Sequence, residues 1–332
     1  MIRKSLVLGS VIAGLAVSGC SSVSQVKPSD LRDELTMPLS ASNPSPSGSQ
    51  SSKVVIFDVN ASESPAAEQA GAAGPIRFAL DGYITEAGAT SVDRALAEQL
   101  KDEVARAEMG GAGAYQGAPV ADFAIRTNVT QASFGSSFQE SSTSRDNKGR
   151  VYTNPAKCNF SGRVAITVDV YAVPALERVR SFRGEGTATG SEDARSSNCA
   201  ADGTNFLRRA GEDAVYDIQE ELKAFFAPTG YVLNGYALDS KKVILKTSLT
   251  EKLGAKPGQS VKVINVTAEG DRYEVAEGKV ADPVVRSGAF VVVSQEDAAS
   301  ISIGDEVRID HSCSFMGCDM DGSLGKVGLS FK

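Results

Sequence analysis

The segment "SGRVAITVDVYAV", residues 161–173, constrains the fold more than any other stretch of the chain. Val164, Ile166, Val168 and Val170 fall on one side of a period-two repeat, with Arg163, Thr167, Asp169 and Tyr171 on the other. Only an extended strand sorts neighbouring side chains onto opposite faces in this way, so the chain must build a sheet with one face against a core. "ADFAIRTNVTQASF" (121–134) alternates through Phe123, Ile125 and Val129, and "RVRSFRGEGTATG" (178–190) reads as the following strand. "KVVIFDVN" (53–60), rich in β-branched and aromatic residues, reads as a buried strand where order begins.

Such a sheet needs helices to cover it. "TNFLRRAGEDAVYDIQEELKAFFAP" carries Leu207, Ala214, Ile218, Leu222 and Phe225 at helical spacing and is stopped by Pro228. In "GYITEAGATSVDRALAEQLKDEVARAE" the residues Leu96, Leu100, Val104 and Ala107 form a stripe, with Thr90 or Ser91 expected as the N-cap. The Ala/Gly-rich stretch between "KVVIFDVN" and this helix is expected to be a loop. From Thr229 the texture changes to short strands and turns: Val243–Thr247, Val261–Val266, Tyr273–Val280, Phe290–Val293, Val307–Ile309 and Lys326–Phe331. "KPGQSVKVI" and "SIGDEVRID" each place a turn glycine, Gly258 or Gly304, three residues ahead of alternating aliphatics. The expected fold class is therefore α+β: a small α/β sandwich followed by a small all-β, barrel-like domain.

At the other end, the apolar run Leu6–Val17 follows Arg3 and Lys4 and is too short for a transmembrane helix. It ends in Val17-Ser18-Gly19-Cys20, which resembles the bacterial lipobox, whose cysteine is lipidated and becomes the mature N-terminus. Ser21 rather than Asp after that cysteine implies, on the same resemblance, the outer membrane, with the folded part on its periplasmic side. The expected organisation is a signal peptide at 1–19, a flexible Ser/Pro-rich tether at 20–52, an α/β domain at 53–228 and a β domain at 229–332.

Five cysteines then sort themselves. Cys20 takes lipid, and Cys158, Cys199, Cys313 and Cys318 form an even set in an oxidising compartment, where two disulfides are the default. "SCSFMGCD" closes a small local loop, and Cys158 with Cys199 joins the ends of adjacent antiparallel strands. Zinc would want more Cys and His at tighter spacing, and His311 is the one histidine, so no metal or other cofactor is expected. A net charge of −7 without a basic cluster argues against nucleic acid as a partner.

No constellation points to catalysis. His311 stands beside Asp310 and Ser312, but adjacency in sequence is not triad geometry, and a surface-loop histidine is expected. Asp319 and Asp321 in "DMDGS" lack the remaining ligand positions of a calcium loop. The glycines of "MGGAGAYQG" follow a helix, where a dinucleotide-binding loop must follow a strand.

The stretches "KVVIFDVN", "GYITEAGATSVDRALAEQL", "ADFAIRTNVTQASF", "GRVAITVDVYAV" and "AGEDAVYDIQEEL", behind a lipobox, resemble the curli-secretion channel lipoprotein (CsgG-like) family. "PTGYVLNGYALDSKKVILKTSLTEKLGAKPGQSVKVI" resembles the tail of flagellar H-ring assembly proteins (FlgT-like). The resemblance implies a CsgG/TolB N-terminal-like α/β sandwich, envelope protein partners, flagellar or secretion assembly, and a homo-oligomeric ring. The chain departs from the channel pattern in its hairpins, "GSSFQESSTSRDNKGRVYTNPAKCNFSG" and "GEGTATGSEDARSSNCAADG", where charges, Ser, Asn and Gly dominate and no tryptophan marks a membrane interface. A Lys or Arg on a lipid face costs roughly 2–4 kcal/mol at the bilayer midplane, so these segments are expected to be soluble loops. The expected function is a non-catalytic outer-membrane lipoprotein that scaffolds an envelope machine. The alternatives are an export-channel subunit and a lipoprotein activator of a cell-wall synthase.

Overall fold

The structure, a computed structural model, describes residues 23–43, 46, 50–92, 98–108, 121–194 and 196–311. Its first sheet grows around β1 (Lys53–Ile56). Val54 and Ile56 face one side and Val55 and Phe57 the other, and all four are buried, which is why this run is apolar without alternation. α1 (Pro65–Ala70) and α2 (Ala73–Glu86) follow, where the sequence led us to expect a loop. Pro65 opens α1, Gly71 closes it at φ 63°, and Ile76, Leu80 and Ile84 of α2 are wholly buried at four-residue spacing. Alanine and glycine between those three anchors disguised a real helical stripe.

Thr90 and Ser91 are β2, paired in parallel with β1, rather than a helix cap. α3 (Glu98–Glu108) then packs Leu100 and Val104 against Val55, Phe57, Ala124 and Tyr171. β3 (Phe123–Gln139), the small hairpin β4 (Ser142–Arg145) and β5 (Val151–Asn154), β6 (Lys157–Ala172) and β7 (Glu177–Asp193) complete the unit with α4 (Thr204–Asp217) and α5 (Gln219–Phe226). The sheet order is β2-β1-β3-β6-β7, with β1 and β3 parallel and β3, β6 and β7 antiparallel. α1, α2, α4 and α5 cover one face and α3 covers one end of the other.

The opening segment shows both halves of this arrangement. Val164, Ile166, Val168 and Val170 are buried under the helices, and Asp169 and Tyr171 on the second face are buried too. The segments expected as soluble loops differ more. Past a register shift at Val129/Gln131, the pairing of β3, β6 and β7 runs out to Gln139, Lys157 and Asp193, so the polar hairpin arms are a three-stranded ribbon. Backbone pairing does not require apolar side chains, and composition alone could not reveal it.

β8 (Thr229–Ala237), β9 (Lys242–Thr247), β10 (Ser260–Val266), β11 (Arg272–Val280), β12 (Ala289–Ser294) and β13 (Glu306–Ile309) form a closed barrel in the order β10-β11-β12-β9-β8-β13, with the short α6 (Gln295–Ala298) beside β12. Val243, Leu245, Val261, Val263, Val291, Val293 and Val307 fill it. β8 was absent from the strands expected on sequence grounds, and Lys326–Phe331 lies outside the described residues.

The expected tether is corrected by the structure. Residues 23–43 run along the barrel as a strap. Asp282 exchanges backbone hydrogen bonds with Ser24 and Val26, Leu35 donates to Gly235, Ala237 to Asp33, and Ile303 bonds with Pro38 and Ser40. Val26 and Leu31 cover Ile244, Phe290 and Val292 on the barrel's outside, while Leu35 and Met37 pack against its core cluster. A segment poor in large apolar residues orders here because its backbone finds partners and its few apolar side chains find seats.

Candidate functional site

Three places gather the chemistry of the described residues, and each is built from short-range sequence features. The first is the strap seat. Gly304 has φ +97°, and the carbonyl of Asn43 lies where a β-carbon would stand, so only glycine lets the strap pass. The next residue, Asp305, is fully buried. Its carboxylate accepts from the Ser302 amide at 2.8 Å, from Asn265 Nδ2 at 2.8 Å and from the Ser40 hydroxyl of the strap. Burial pushes the Asp305 pKa up, against the pull of those three donors.

The second place is the ribbon and the helix that grips it. Gly184 and Gly186 of β7 face Ala214 and Ala210 of α4, and a β-carbon on either glycine would collide with helix backbone. That close approach brings Asp213 Oδ2 within 2.9 Å of the Thr187 amide and Asp217 Oδ2 within 3.1 Å of the Glu185 amide. β7 is an edge strand, and these carboxylates occupy backbone donors that a foreign strand would otherwise use. Further out, Phe134, Phe160 and Phe206 cluster with ring centroids 5.6–6.3 Å apart. Beyond them Cys158 and Cys199 are joined in a disulfide, with Cα atoms 5.4 Å apart. The other face of the ribbon carries Gln131, Ser133, Ser137 and Gln139 from β3, Arg163, Ser161, Asn159 and Lys157 from β6, and Thr187, Thr189 and Ser191 from β7.

The third place is the junction of the two units. Ser51 donates to the Gly88 carbonyl at 2.7 Å, Gln50 and Thr229 exchange backbone bonds, and Gly88 abuts Pro228 and the Leu253 carbonyl. Lys223 of α5 pairs with Glu86 of α2 at 2.8 Å and sits over the Tyr83 ring. His311 lies beside this pair rather than on a surface loop. Its Nε2 is buried without a hydrogen-bond partner among the described residues, and burial followed by the Lys223 charge lowers its pKa.

Of the residues singled out from sequence, Cys158 and Cys199 meet as expected. Cys20, Cys313, Cys318, Asp319, Asp321 and the 109–117 glycines lie outside the described residues. Among the described residues no cluster of three or more His, Cys, Asp or Glu could hold a metal ion, and no helix is long and apolar enough to cross a membrane. Sequence reasoning missed the strap and the Asp213/Asp217 pair. "KVILK" and "AFVVVS" carried the signal for the strap: apolar runs without alternation demand cover on both faces.

No protein-family model matches the chain, and no curated protein matches it. Among solved structures, the lipoprotein GNA1162 from Neisseria meningitidis is similar over 44% of this chain and 86% of its own, at 16% identity and a TM-score of 0.19. At that score the likeness carries no argument about fold or function.

Proposed function

We propose that the chain is an outer-membrane lipoprotein, anchored through Cys20, that acts by binding, as a periplasmic scaffold for an envelope machine of the flagellar or secretion type. The observation that carries this reading is the ribbon. Three strands of 17, 16 and 17 residues extend together, reinforced by a disulfide and an aromatic cluster, and present polar side chains to solvent. Such a platform is rigid and recognisable, which is what a partner surface needs. Anchoring raises its local concentration beside the membrane, so modest contacts suffice.

Strand length is the one feature that favours the export-channel alternative, because about 9–11 residues span a bilayer as β-strand. The side chains oppose it. Lys157, Arg163, Gln139 and Asp193 stand among the outer pairs, and neither face offers the continuous apolar band that lipid requires. The test is crosslinking in living cells from photoreactive side chains placed at Ser137, Thr189 and Tyr152. Capture of envelope assembly proteins supports the scaffold. Capture dominated by a cell-wall synthase supports the activator reading. Membrane conductance from purified, detergent-extracted protein would overturn the scaffold reading in favour of a channel.

A further inference from the structure

The strap decides which surface meets the bilayer. With 20–52 as a free tether, the folded part could hang at any orientation. Instead Ser24, Gln25 and Val26 are bonded to Asp282, and Val23 touches Gly258. Two residues, Ser21 and Ser22, separate Val23 from Cys20, three steps that reach roughly 10 Å at full extension. An acylated Cys20 therefore holds this particular patch of the barrel against the lipid.

The patch has the chemistry of a headgroup-binding surface. Ser24 lines a groove of about 640 Å³ together with Lys241, Lys242, Lys279, Ser260 and Ser294. Lys256 stands two residues before Gly258, on the turn that Val23 touches. None of these four lysines makes an ion pair among the described residues. Acidic side chains at the groove are partly engaged. The Asp297 carboxylate accepts from the Ser294 hydroxyl, which in turn accepts from the Asp297 amide to cap α6, and Glu277 and Asp310 lie beside Lys262. Three of these lysines line the groove beside Glu277, Asp297 and Asp310, and together with Lys256 they leave four lysines without ion pairs where the lipid anchor emerges, in a chain of net charge −7.

The geometry points to a membrane-docking face: the Lys241/Lys242/Lys256/Lys279 patch of the barrel lies on the bilayer and binds anionic phospholipid headgroups, leaving the ribbon for partners. This rests on the proposed acylation of Cys20. Each basic side chain close to an anionic membrane strengthens binding about fivefold, so the patch can fix orientation although it could not anchor the protein alone.

Amine-reactive footprinting tests it on the acylated full-length protein, in phosphatidylglycerol-containing vesicles and in neutral detergent. The expected result is at least fivefold slower labelling of Lys241, Lys242, Lys256 and Lys279 in vesicles, with Lys157 of the ribbon and Lys148 of the β4–β5 hairpin unchanged. Equal labelling of the barrel lysines in both settings, on protein whose N-terminal peptide mass shows acyl chains, would overturn the docking face and leave the anchor standing. An unacylated N-terminal peptide would overturn the anchor itself. A second arm uses the non-acylated chain beginning at Ser21. It is expected to bind phosphatidylglycerol vesicles at 50 mM salt, about tenfold more weakly at 500 mM, and at least a hundredfold more weakly when the four lysines are changed to Gln. Equal recovery with phosphatidylcholine vesicles would overturn headgroup recognition. The four side chains are at the surface, so unchanged melting identifies any loss as one of binding.

Discussion

Replacing Gly186 with alanine tests the grip of α4 on the ribbon through the sign of its effect. In a strand interior alanine is ordinarily better than glycine by about 0.5–1 kcal/mol, because glycine loses more backbone freedom on folding. At Gly186 the added carbon meets the Ala210 carbonyl, the Ala214 nitrogen and the Asp213 carbonyl carbon, all main-chain atoms of one helix. No side chain can rotate away, so α4 must retreat by roughly 1 Å. Overpacking of this kind costs about 1–3 kcal/mol. The retreat also stretches the 2.9 Å bond from the Thr187 amide to Asp213, a charge-assisted bond worth about 1.5 kcal/mol or more. The expected loss is about 3 kcal/mol, or roughly 6–12 °C in melting temperature for a unit of this size. Gly82→Ala is the internal control: it lies within α2, nothing stands within 4 Å of its added carbon, and a gain of about 0.5–1 kcal/mol is expected. Scanning calorimetry of both variants decides the matter. If Gly186→Ala melts at or above the parent temperature, α4 does not lie on β7 as described, and the capping of the edge strand goes with it.

Other consequences are as direct. Changing Cys158 and Cys199 together to serine should cost about 3–4 kcal/mol on the chain-entropy model for a separation of 41 residues, read as a drop in the denaturant midpoint that dithiothreitol reproduces in the parent protein. Val26→Asp would place a carboxylate among Ile244, Ala281 and Phe290, costing at least about 3 kcal/mol and speeding tryptic cleavage at Lys27 and Arg32, whereas a free tether would tolerate it without change. Asp305 has a raised pKa in the folded state, so its contribution is most favourable below the unfolded value near 3.8 and is lost as pH rises through the folded value. The melting temperature of Asp305→Asn minus that of the parent should therefore climb with pH across that window, and a flat difference would contradict the assigned burial. Asp213→Ala with Asp217→Ala frees two edge amides of β7 and should promote self-association in sedimentation velocity, with a loss of about 1–3 kcal/mol in stability.

Much of this fold can be read from side-chain period alone, and the exceptions have physical reasons. β6 is evident from four aliphatics at period two, and α4 with α5 from Leu207, Ala214, Ile218 and Leu222 at helical spacing. α2 is not, because Ala73, Gly74, Ala79 and Gly82 lower its apolar content while only Ile76, Leu80 and Ile84 hold it to the core. The ribbon is hidden for a different reason: its outer pairs are held by main-chain bonds that any residue but proline supplies. The strap was the hardest to see, since its order depends on distant groups such as Gly235, Asp282 and Ile303. Asp305 looked like one acidic turn residue among many. Its burial arises only when Ser40 and Asn265 close over it.

These features together limit how a partner can bind. The barrel is closed and offers no edge, β7 has amides taken by Asp213 and Asp217, and β2 at the opposite edge is two residues long. Strand addition, which gains affinity from unsatisfied main-chain groups, is therefore blocked at the barrel, at β2 and at the Glu185 and Thr187 amides of β7. Under the proposed scaffold role, the polar ribbon offers an ordered array of exposed side chains for recognition. The same polarity that argues against lipid insertion supplies hydroxyl, amide and guanidinium groups at 4.7–4.9 Å strand spacing. An array of that kind favours a partner with a matching polar surface over a hydrophobic one, because desolvating a side chain such as Arg163 against an apolar face is costly.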